Sequence, residues 1–77
     1  MVLHDRIWRR RQEILAGKAY PDLTPGQRAE VARLLGAACH ILESFGGTDR
    51  ETLIRMCRDQ QVSEQVNEWV AGIIATV

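Results

Sequence analysis

The chain has 77 residues, 45% of them apolar, and ten basic residues balance ten acidic ones. A chain of this length makes one small domain, residues 1–77, and buries only about 60–65% of the surface its unfolded form exposes. Net neutrality excludes the broad positive field of a non-specific nucleic-acid binder, and so small a unit has difficulty enclosing a substrate pocket.

The even total hides an asymmetry. Residues 1–18 carry five basic against two acidic residues, a surplus of three that residues 19–77 return with opposite sign. Nine of the ten basic residues are Arg. Size and arginine bias suit a bacterial or phage source. The two cysteines, Cys39 and Cys57, form neither a CxxC pair nor a Cys/His ligand spacing. No apolar run reaches the roughly 18 residues of a membrane span, and no 7–15-residue apolar stretch follows the N-terminal arginines as in a signal peptide. Cytoplasmic residence is the expectation, with no membrane contact.

In chain order, periodicity predicts four helices and no strand. The first covers residues 3–16. At 100° per residue Leu3, Ile7 and Ile14 align, with Trp8 and Leu15 beside them, while Arg6, Arg9 and Arg10 gather opposite. Arg11 falls inside the apolar sector, where its stem can pack while its head snorkels, meets a carboxylate or anchors an interface. Gly17 stops the helix, and Tyr20-Pro21 begins a loop.

The second helix, residues 25–45, has the best-marked start: Thr24 at the N-cap, Pro25 at the first helical position, and Gln27 completing a capping box. Its stripe is Val31, Leu34, Leu35, Ala38, Ile41, Leu42 and Phe45, ended by Gly46-Gly47. Its back is bare, with Ala29, Gly36, Ala37 and Ser44 alternating with Arg33 and His40. Small residues there leave room for another helix.

The third helix, residues 49–60, is read with Thr48 as N-cap and a short stripe of Leu53, Ile54, Met56 and Cys57. The fourth, residues 63–76, places Val62, Val66, Trp69, Val70, Ile73, Ile74 and Val77 on one side and Glu64 and Glu68 on the other. No Gly or Pro separates these two helices. Their apolar stripes lie about 180° out of phase, however, so a straight helix would turn half of them to water. A bend at residues 60–63 resolves the conflict.

Residues 52–70 bear a superficial likeness to a helix-turn-helix. Its second helix would need donors for the major groove, but residues 63–77 contain no Lys or Arg and expose two Glu. Helix four is rejected as a recognition helix. The arginines of helix one remain the nucleic-acid candidate, because Arg6 and Arg10 sit one turn apart with Arg9 adjacent. The alternative is a solvated face, with Arg9 paired to Glu13 at i+4.

No GxxxxGK[ST], GxGxxG, HExxH or GxSxG occurs. Cys39 and His40 are neighbours about 100° apart on a helix, and the Cys and His positions face different ways, so neither a Cys–His nucleophile nor a zinc site is expected. Both cysteines read as small buried apolar residues. No enzyme activity and no cofactor are expected.

The expectation is therefore an all-α, compact four-helix domain that acts by protein–protein binding as an inhibitor, adaptor or accessory regulator. The generous apolar content leaves room for a homodimer. The candidate contact residues are Arg6, Trp8, Arg9, Arg10, Arg11 and Trp69. Each Trp can serve either core or interface. The alternative is a nucleic-acid-binding regulator that uses helix one.

Overall fold

The structure is a computed structural model that describes residues 2–77. Those residues are 72% helical, in four helices without a strand. They are α1 (Val2–Leu15), α2 (Pro25–Ser44), α3 (Arg50–Cys57) and α4 (Glu64–Thr76). The radius of gyration, 11.4 Å, matches the roughly 11.5 Å expected of a folded chain of this length.

Each helix end has a local chemical cause. Gly17, at φ +77°, closes α1 as a Schellman motif: its N–H donates to the Ile14 carbonyl at 3.1 Å, and Lys18 N–H to that of Glu13 at 2.8 Å. The capping box of α2 forms as read, with Gln27 N–H donating to Thr24 Oγ1 at 3.1 Å and Thr24 N–H to Gln27 Oε1 at 3.0 Å. For α3 the N-cap is Asp49, whose carboxylate accepts from Thr52 N–H at 2.7 Å. Thr48, the expected cap, instead donates its hydroxyl to the Phe45 carbonyl at 2.6 Å and helps finish α2. An ionised acceptor makes the stronger cap, and the hydrogen bond holds the Asp49 carboxyl below the usual carboxylate range.

One core serves all four helices. Ile7 and Ile14 from α1 meet Val31, Leu34, Leu35, Ala38, Cys39 and Leu42 from α2, Leu53 and Cys57 from α3, and Val66, Val70, Ile73 and Ile74 from α4. Helix α1 lies antiparallel on α2, with His4 beside Glu43 and Ile14 beside Arg28, while α3 and α4 pack on α2 and on each other and the end of α4 comes beside α1. Four members of the expected stripes are outside this core: Trp8 and Leu15, at the edge of the α1 stripe, and Phe45 and Met56. Phe45 is 60% exposed because α2 ends one residue before it, so the chain has already left helical phase. Helix α3 ends at Cys57 instead of at residue 60, and Met56 is exposed because it lies about 80° around the helix from the Leu53–Cys57 line that faces the core.

The bend between α3 and α4 falls at residues 58–63. Asn67, only 6% exposed, fixes it. Its Nδ2 donates to the Asp59 carbonyl at 2.9 Å and its Oδ1 accepts from Asp59 N–H at 3.0 Å. The Asp59 carboxylate accepts from Gln61 N–H at 2.8 Å and pairs with Arg33 of α2 at 3.1 Å. Together these contacts lower its pKa.

Candidate binding surfaces

The arginines divide into those that build the fold and those that face outward. Arg28 is the chief builder. Its Nη1 donates to the carbonyls of Ile14 (2.6 Å) and Ala19 (3.2 Å), and its Nη2 to those of Tyr20 (3.0 Å) and Leu23 (3.4 Å). One cation thus caps the C-terminal end of α1, which has no basic residue in its own last turn, and holds the whole loop to α2. It also holds Tyr20, which sits in the left-handed region at φ +52°. Arg28 escaped the sequence reading because it lies on no apolar stripe. The only available signal was a basic residue in the first turn after a loop, opposite a helix end that lacks one.

Arg50 plays the same part for α4, donating Nη1 to the backbone oxygens of Ile74 (2.9 Å) and Val77. Arg33 and Arg58 pair with Asp59 and Glu64. Arg11 also turns inward. Its Nε donates to the Ala32 carbonyl at 2.9 Å, and its guanidinium lies over the Trp8 ring. Its head meets a backbone carbonyl in place of the carboxylate considered from sequence. Gly36 permits that approach, since a Cβ there would lie 3.2 Å from Arg11 Nε.

The six candidate contact residues fall into three places. Arg6, Arg9 and Arg10 line a groove of about 370 Å³ with Glu13, Thr76 and Val77. Trp8, backed by Arg11, opens onto a second groove of about 320 Å³ between α1 and α2, lined by His4, Gly36, Cys39, His40 and Glu43. Trp69 packs against the core, and its edge lines a hollow with Tyr20, Asp22 and Leu23. Helix phase explains the split: Trp8 and Arg10 lie about 160° apart around α1. The pairing read for Arg9 also moves, because Glu13 contacts Arg10 Nε at 3.5 Å.

The α1–α2 groove brings together side chains that helix phase alone had set apart. His4 Nε2 lies 3.1 Å from Glu43, His40 Nδ1 lies 4.0 Å from the same carboxylate, and His4 Nδ1 is 3.4 Å from Asp5. Cys39 is buried beneath them, with Sγ 3.7 Å from the His4 carbonyl oxygen. Burial pushes the thiols of Cys39 and Cys57 up to about 11, so both stay protonated and non-nucleophilic near neutrality. Among the described residues, no group of three or more His, Cys, Asp or Glu side chains is placed to hold a metal ion. No helix there is long and apolar enough to cross a membrane.

Comparison with family models, curated proteins and solved structures gave no match.

Proposed function

We propose that this domain is a non-enzymatic binding module that recognises another protein through the α1–α2 face around Trp8, as an inhibitor, adaptor or accessory regulator. One observation carries the reading: Trp8 is 43% exposed while its ring is held in place by Arg11. An exposed Trp with fixed orientation loses little conformational entropy on binding, and Trp and Arg supply most interface hot spots. Beside it, Gly36 lets a partner's backbone approach closely, and His4, His40 and Glu43 offer a polar rim. Capture of a partner from extracts of the source cells, repeated with Trp8→Ala, tests the proposal. The partner should be lost while circular dichroism shows the helices still folded. Undiminished capture by the variant would place the contact elsewhere.

A second reading, a nucleic-acid-binding regulator, is favoured by the convergence of Arg6, Arg9 and Arg10 on one groove. It requires retention on DNA or RNA at low salt, with a steep salt slope that flattens when these arginines are removed.

A further inference from the structure

Among its side chains, the groove between α1 and the last turn of α4 holds three guanidiniums against one carboxylate, that of Glu13, and the fold uses them little. Among the described residues, Arg6 and Arg9 make no ion pair or side-chain hydrogen bond, and Arg10 has only its exposed contact with Glu13. The helix end facing them does not recruit them, because Arg50 already holds the Ile74 and Val77 oxygens and Thr76 Oγ1 donates to the Gly72 carbonyl at 2.8 Å. Nor does Asp5 neutralise them: it shares a shallow neighbouring groove with Arg6 and Arg9, yet its carboxylate contacts His4. The donors of Arg6 and Arg9 are therefore available to an anion from outside.

We infer that this groove docks an acidic peptide segment, with Arg6 and Arg9 forked onto its carboxylates and Val77 giving an apolar contact at the wall. Guanidinium forks match carboxylates in bidentate geometry. The dimensions favour a peptide over a nucleic-acid strand. Arg6 and Arg10 span only about 6 Å of helix axis, and acidic side chains stand at both ends of the cluster, Asp5 before it and Glu13 after it. A continuous phosphate backbone would run on into one of these carboxylates, whereas a short acidic motif can stop between them. This inference rests on the reading of the domain as a binding module but uses a different face from Trp8, so the two can fail separately.

Fluorescence anisotropy of a labelled triglutamate peptide flanked by glycines, and of a labelled thymidine octanucleotide, at low salt tests it. The triglutamate peptide should bind saturably and more tightly than the nucleotide strand. Arg6→Ala with Arg9→Ala should weaken it about tenfold, as loss of two exposed charge pairs implies. Arg55→Ala removes another exposed arginine, far from the groove in sequence, and should change nothing. Trp8→Ala should likewise leave binding of the triglutamate peptide intact. Tighter binding of the nucleotide strand would reassign the groove to phosphate. Equal loss with Arg55→Ala, or no saturable binding, would reduce it to a diffuse charged surface. Each result overturns the inference.

Discussion

The guanidinium of Arg11 lies over the ring of Trp8, with Cζ 4.9 Å from the ring centroid, while its Nε is tied to the Ala32 carbonyl of the neighbouring helix. A residue that sequence phase placed as an intruder in the apolar face of α1 thus joins two helices and fixes the orientation of the exposed aromatic. Arg11→Ala removes a cation–π contact and a charge-assisted hydrogen bond. The expected loss is about 1–2 kcal/mol in urea unfolding. In a Trp69→Phe background, Trp8 emission should also shift to the red.

Two helical glycines should respond in opposite ways to alanine. At Gly72 an added Cβ meets nothing within 4 Å, so Gly72→Ala should raise stability by about 0.5–1 kcal/mol through helix propensity alone. At Gly36 the same methyl sits 3.2 Å from Arg11 Nε. Arg11 must then yield its hold on Ala32 or Trp8, which offsets the propensity gain. Denaturation midpoints check this. Equal stabilisation at both sites would mean that Arg11 is not held as described.

Arg28→Ala should be among the most damaging single changes at a polar position, at roughly 2–4 kcal/mol, because it leaves four carbonyls and one helix end without their cation. Arg28→Lys should recover only part of the loss, since a single ammonium cannot reach as a fork does. Thermal melting of the three proteins would show the order native, Lys, Ala. A Lys variant as stable as the native protein would refute the fork.

The cysteines predict an alkaline limb in stability. The folded protein holds the thiol protons of Cys39 and Cys57 up to about pH 11, against an ordinary value of 9.0. Between those values unfolding releases protons, so the contribution is complete below pH 9.0 and is lost as pH rises towards 11. It amounts to on the order of 2 kcal/mol for each thiol. A Cys39→Ala/Cys57→Ala protein should show a shallower decline across this range. In the native protein both thiols should resist iodoacetamide at neutral pH and react once urea unfolds the chain.

The acid side runs the other way. The hydrogen bonds to Asp49 and Asp59 favour their ionised forms. Their contribution is present above the ordinary carboxylate value of 3.8 and is lost as pH falls below it. Replacing either by Asn should flatten the acid limb of a melting-temperature profile.

Much of this architecture could be read from periodicity and capping chemistry. The α2 start at Thr24-Pro25 and the stop at Gly17 are local events, decided by residues three or four apart, and they form as read. The bend after α3 was legible from the phase conflict between Leu53 and Val66, because apolar faces cannot point both ways at once. That Asn67 holds the bend was not legible, since a polar residue on a mostly apolar helix announces no partner eight residues away.

By itself the sequence determined the number of helices, most of their ends and the residues of the shared core, because each depends on spacing along one chain segment. The tertiary structure alone decided which arginines are structural and which face outward. That choice depends on which carbonyls, carboxylates and helix ends lie within about 3 Å of each guanidinium. Residues far apart in the chain supply those partners: Arg11 finds Ala32, and Arg50 finds Ile74. The candidate contact residues fall on three surfaces for both reasons: helix phase alone parts Trp8 from Arg6, Arg9 and Arg10, and the packing of α4 sets Trp69 beside the loop that follows α1.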